Sequence, residues 1–290
     1  MKKVLVLFLS MFFSLPLIGC GNKATNSQIA ATTRPVYEFT SYLCQKTDIR
    51  VAQIITEEIS CLHNYTLQVN QMRTIENADL VVISGMGLED FLEETLSEKH
   101  TVLDASRGIT ALNYEDEHNH GDEHHHVDPH IWLSPVNAKA MCYNIYLGLI
   151  ENYPQHKKIF EANLIQINKK FDDLISYGNT ELATLSSRDL ITFHDGFSYL
   201  AKAFDLHIIH AIEEESGSEA SAKELIDLIH IVNSNNLTAV FTEINGSCSG
   251  ASVIAEETGV PIFQLDMVLS GEDYFQGMYS NINTLKEALK

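Results

Sequence analysis

The run Leu80-Val81-Val82-Ile83 is apolar at every position, so as a strand it must be covered on both faces. A strand of that kind belongs to a parallel sheet, whose neighbours are joined by crossovers long enough to hold a helix. The chain supplies such crossovers. Strand-like runs at Ile29–Thr32, Arg50–Ile55, Asp79–Ser84 and Thr101–Asp104 alternate with helical stretches from Pro35 to about Cys44, from about Leu67 to Asn77, and from Gly87 to near Leu96. The alternation resumes later, with strands at Leu190–Phe193, His207–Ile212, Ala239–Thr242 and Ile262–Leu265. The helices between and after them run from Gly196 to about Phe204, from about Glu219 to Asn233 with Ser216 or Ser218 as N-cap, over Ala251–Thr258, and over about Asp273–Leu289.

Two helical segments separate the halves, Pro135–Asn152 and Gln155–Leu185, punctuated by Pro154. The second places Ile159, Phe160, Leu164, Ile167, Phe171, Leu174 and Ile175 on the 3.6 period. A chain of 290 residues exceeds what one small core organises. The expected architecture is α/β: two Rossmann-like lobes with parallel sheets over 28–154 and 188–290, joined by a long rigid linker helix over 155–187, with a site in the cleft between them.

The first residues read as a targeting segment. Lys2 and Lys3 precede an apolar run, Val4–Ile18, too short for a comfortable membrane span, which predicts a signal peptide over 1–19. Leu17-Ile18-Gly19-Cys20 resembles a bacterial lipobox, which implies acylation of Cys20, a lipidated linker over 20–27, and a mature chain held at the outer face of the cytoplasmic membrane. The 39 acidic residues against 19 basic ones give a net charge of −20, which repels nucleic acid and excludes it as a partner. Cys44, Cys61, Cys142 and Cys248 form no CxxC pair, leaving disulfides and buried thiols both open.

His118–Trp132, HNHGDEHHHVDPHIW, holds six of the 13 histidines. Other chemistry-bearing residues collect after predicted strands. His63 follows Arg50–Ile55, His130 follows Thr101–Asp104, His194 follows Leu190–Phe193, Glu243 follows Ala239–Thr242, and Asp266 follows Ile262–Leu265. Ligands of parallel sheets bind outside the carboxyl ends of the strands, so both lobes offer imidazole or carboxylate to a shared cleft. Three imidazoles and a carboxylate suit a tetrahedral zinc site. Each residue also has an ordinary reading: a solvated loop histidine for His63, a turn residue for His194, an N-cap or Asx-turn for Asp266.

These segments resemble the metal-binding lipoproteins of bacterial ABC importers for zinc and manganese, specifically the zinc-uptake branch. Asp128-Pro129-His130-Ile131-Trp132-Leu133-Ser134-Pro135 is similar to the family's DPHxWxxP segment, and Phe193-His194-Asp195-Gly196-Phe197-Ser198-Tyr199-Leu200 to FHDAFxYL. Ala78-Asp79-Leu80-Val81-Val82 leading to Gly85-Met86-Gly87-Leu88-Glu89 resembles ADLVV…GxGLE, and His63-Asn64-Tyr65 falls at the family's first histidine, without the proline many members have nearby. The resemblance implies Zn²⁺ as the bound and transported ligand. It implies His63, His130 and His194 as ligands, Asp266 as the fourth, and Glu243 beside them without coordinating. Histidine at 194, where the manganese branch has glutamate, implies zinc. The implied partner is a membrane permease, served by a monomeric receptor with no catalytic residues. His118, His120, His124, His125 and His126, in the histidine-rich loop 117–127, are expected to form weaker auxiliary sites.

Neutral imidazoles are required for binding, so affinity should fall as pH drops through the histidine range. Three alternatives compete: a manganese receptor, an adhesin on the same fold, and a zinc hydrolase. The last lacks any HExxH or GxSxG motif.

Overall fold

The computed structural model describes residues 29–57, 62, 65–96, 101–112, 127–212, 220–244, 246–269, 271 and 273–290. Cys20, Cys61, His63, His118, His120, His124, His125, His126, Ser216 and Ser218 lie outside the described residues.

Two four-stranded sheets, parallel throughout, hold the chain together. The first has β1 (Ile29–Ala31), β2 (Val51–Gln53), β3 (Leu80–Ile83) and β4 (Thr101–Asp104) in the order β2-β1-β3-β4. The second has β5 (Asp189–Thr192), β6 (His207–Ala211), β7 (Val240–Glu243) and β8 (Ile262–Leu265) in the order β6-β5-β7-β8. The orders correspond strand for strand, so each sheet has its topological switch between its first and third strands. In parallel sheets of this kind ligands bind at such a point, outside the carboxyl edge.

The helices are α1 (Arg34–Leu43), α2 (Val69–Glu76), α3 (Pro135–Asn152), α4 (Lys157–Glu181), α5 (Ser198–Ala203), α6 (Ala222–Asn235), α7 (Ser249–Thr258) and α8 (Tyr274–Ala288). Pro35 and Pro135 sit in the first turns of α1 and α3, where a missing N–H costs nothing. The segment after Gly87 differs from expectation: only a single 3-10 turn, Asp90–Leu92, forms. Gly85, Met86 and Gly87 all lie at positive φ (88°, 58° and 83°), and the Glu89 carboxylate is turned back onto the chain before it. Helix α6 is capped by Ser221, whose side chain and that of Glu224 form a reciprocal capping box.

Helix α4 is 25 residues long and buries Phe160, Asn163, Ile167, Phe171, Leu174 and Gly178 along one stripe. Asn163 donates to the carbonyls of Leu43 and Gln45 at the end of α1 (both 2.8 Å), and a methyl group at Gly178 would meet Phe204 at 2.1 Å. The helix thus packs on both halves. Phe39 of α1, Phe171 of α4 and Tyr274 of α8 meet edge-on with centroids 4.9 to 5.8 Å apart. Each such pair adds about 0.5–1.5 kcal/mol beyond its buried area. One core therefore runs from the first sheet through α4 into α8, with a smaller one around Ile191, Val232, Val240 and Ile254 on the other face of the second sheet. Cys44, Cys142 and Cys248 carry free thiols, the first two buried. Among the described residues no helix is long and apolar enough to cross a membrane.

Candidate metal centre

The second sheet delivers two polar side chains to its switch point. His194 lies two residues past the end of β5 and directly precedes the 3-10 turn Asp195–Phe197, while Glu243 ends β7 beside it. His194 Nδ1 accepts the backbone N–H of Gly196 at 2.8 Å, and His194 Nε2 lies 3.9 Å from Glu243 Oε2. A cation at Nε2 would need that nitrogen's lone pair, which would put the proton on Nδ1 and end its acceptance of the Gly196 N–H.

His130 comes to the same place from the connection after β4. Its ring stands 5.2 Å from that of His194, at 85°. Both are almost inaccessible, His130 at 1% exposure and His194 at 6%. Asp128, fully buried, sets the orientation of His130: its Oδ1 accepts both the backbone N–H of His130 (2.9 Å) and ring Nδ1 (2.8 Å). With Nδ1 holding the proton, Nε2 presents its lone pair, the arrangement by which second-layer carboxylates fix metal-binding histidines. The Asp128 charge, after burial, also helps raise the titration of Tyr199 above its usual value.

Gly196 fits between these groups. A methyl group there would lie 2.7 Å from His130 Nδ1 and 2.6 Å from Met267 Cε. Asp266, one residue before Met267, closes a local turn. Its Oδ1 accepts the N–H of Val268 at 2.7 Å, and a methyl group at Gly277 of α8 would sit 3.0 Å from its Oδ2. That short turn holds Val268 at φ 58°, a costly value for a β-branched residue. Asn281 of α8 grips the Asp266 backbone from both sides, accepting its N–H (2.7 Å) and donating to its carbonyl (2.8 Å). Among the described residues no three His, Cys, Asp or Glu side chains gather closely enough to hold a metal ion. The described site is an imidazole pair with Glu243 beside it and Asp266 close in sequence to its wall.

The matching switch point of the first sheet holds a different group. Glu89 accepts from Thr32 Oγ1 (2.6 Å), Ser84 N (2.7 Å) and Gly85 N (2.9 Å), tying the ends of β1 and β3 together. Complete burial, reinforced by nearby Asp104, pushes its carboxyl up to about 7 against the opposing hydrogen bonds.

Sequence reasoning pointed to His130, His194 and Glu243, which the structure brings together. It passed over Asp128 and Gly196 as working parts. The i, i+2 spacing of Asp128 and His130 was a readable signal, because it lets one carboxylate oxygen reach both backbone and ring.

The sequence model of the family described as zinc-uptake complex component A periplasmic matches residues 29–288. The high-affinity zinc uptake system protein ZnuA of Bacillus subtilis (strain 168) is 28% identical over 316 residues, covering 99% of this chain and 98% of that protein. The zinc-binding lipoprotein AdcA of Streptococcus pneumoniae (strain ATCC BAA-255 / R6) is 29% identical over 308 residues, covering 99% of this chain but only 61% of AdcA. A crystal structure of ZnuA superposes with a TM-score of 0.80 at 28% identity, covering 91% of this chain and 100% of that one.

Proposed function

This chain belongs to the zinc-uptake complex component A periplasmic family, and from that premise we propose that it is an extracytoplasmic receptor that captures Zn²⁺ and passes it to an ABC-type membrane permease. The family is one of solute-binding receptors, so the cation is cargo and the chain makes or breaks no covalent bond in it. The observation that carries the zinc reading is the buried pair His130 and His194, two neutral-nitrogen donors of the kind zinc prefers over all-oxygen sites.

In this reading His63, His130 and His194 supply three imidazoles, and Asp266 the fourth ligand by exchanging the Val268 N–H for the cation. Glu243 stays beside His194 and balances charge. The histidines at 118, 120, 124, 125 and 126 bind further zinc weakly. Cleavage before Cys20 and its acylation hold the mature monomer at the outer face of the cytoplasmic membrane.

Competition titration of the purified mature chain with zinc and manganese tests the choice of metal. Zinc should displace manganese at one tight site per chain; a preference for manganese would overturn the zinc reading. Mass spectrometry of the chain expressed in a lipoprotein-processing bacterium should find Cys20 diacylated at the new N-terminus.

A further inference from the structure

His130 follows the first sheet in sequence, yet the turn that follows it is bonded to the second half of the chain. Trp132, two residues on and fully buried, donates its indole N–H to the carbonyl of Met267 at 2.8 Å. The carbonyl of Trp132 accepts the hydroxyl of Tyr274, the first residue of α8, at 2.7 Å. The Trp132 indole also stands edge-on to the His130 ring, with centroids 5.4 Å apart. Gly196 closes the other side of His130. Just ahead of this turn, Leu112 N donates to Tyr199 OH of α5 at 2.9 Å.

Tyr274 is itself fixed from several directions. Its backbone N–H donates to Glu38 Oε2 of α1 at 2.7 Å, and its ring packs on Phe39, Phe171 and Phe275 at centroid distances of 4.9, 5.8 and 5.3 Å. Its hydroxyl therefore reaches Trp132 from a ring with no freedom to wander.

We propose that Tyr274 is a positioning residue for the metal site: through Trp132 it fastens the His130 turn to the second lobe, so that His130 and His194 form one preassembled pair. This rests on the zinc-receptor reading and adds how the site is built. Adjustments between the lobes on binding then leave the distance between the two imidazoles unchanged. The hydroxyl contributes through placement of another residue's ligand atom, so its loss should alter site geometry more than overall stability.

The test uses Tyr274→Phe, which keeps the ring packing, against Lys170→Met. Lys170 Nζ lies 5.3 Å from the Tyr42 ring and 4.9 Å from that of Phe275, joining α1, α4 and α8 through cation–π contacts without bonding the Trp132 carbonyl as Tyr274 does. Zinc affinity and the visible absorption of the Co²⁺-loaded protein are measured for each. Tyr274→Phe should weaken zinc binding about tenfold and shift the Co²⁺ bands, as loss of outer-layer support does. Lys170→Met should change neither.

Trp132 is the chain's only tryptophan, so wild-type fluorescence tests the same idea without a variant. Acrylamide should quench it equally weakly with and without zinc, an ion that has no open d shell. An unchanged Co²⁺ spectrum in Tyr274→Phe, the same shift in Lys170→Met, or a tryptophan that acrylamide reaches only in the metal-free protein would each overturn the proposal. Failure of the wild type to bind zinc tightly would instead strike the receptor reading.

Discussion

Replacing Glu89 with glutamine should reverse the sign of its effect on stability as pH rises. The carboxyl titrates at about 7 in the fold against an ordinary 4.5, chiefly because it is buried, with Asp104 adding to the effect. The folded protein therefore holds a proton on Glu89 that the unfolded chain has lost between those values. That contribution to stability is fully present below 4.5 and is lost as pH rises through about 7. Moving the titration over that interval corresponds to about 3 kcal/mol, most of it expressed between about pH 5 and pH 8. Glutamine does not titrate, but its amide cannot accept both backbone N–H groups and the Thr32 hydroxyl as the carboxyl does. Loss of one such bond costs about 1–3 kcal/mol. Glu89→Gln should thus be the less stable protein at pH 5, and should gain about 2–3 kcal/mol on wild type by pH 8. Urea unfolding of both metal-free proteins at four pH values measures the difference, and other titrating groups cancel between them. Parallel stability curves across that range would refute the reasoning.

Three further outcomes follow from the packing. Gly196→Ala should leave the secondary structure intact but weaken zinc binding at least tenfold by calorimetry, because the new methyl group meets His130 Nδ1 at 2.7 Å and must displace it from Asp128. Gly178→Ala, near the C-terminal end of α4, should lower stability by about 1–3 kcal/mol in urea melts through its collision with the Phe204 ring, with zinc affinity unchanged. Deleting residues 117–126 should remove weak zinc equivalents from a titration and keep one tight equivalent.

Much of the scaffold was legible because strand and helix periods are local. Thr101–Asp104, Ile262–Leu265 and Pro135–Asn152 form at the residues expected. The segment after Gly87, expected as a helix to near Leu96, forms only one 3-10 turn, because the Glu89 side chain is drawn back into the protein. In the structure that side chain is buried and bonded to Thr32, 57 residues away. No local period reveals such a partner. The site divides the same way. Strand ends marked where His194 and Glu243 would emerge, and the resemblance of Asp128–Pro135 to DPHxWxxP marked His130. The set of Asp266 depended on a turn that places Val268 at φ 58°, and the roles of Trp132 and Tyr274 depended on contacts spanning 135 and 142 residues. These are properties of the assembled lobes.

Zinc calorimetry on the mature wild type beside His130→Ala and His194→Ala tests the central claim most directly. The account predicts one tight zinc per wild-type chain and its disappearance in each variant, with folding preserved by circular dichroism. A tight equivalent that survives in either variant would contradict it.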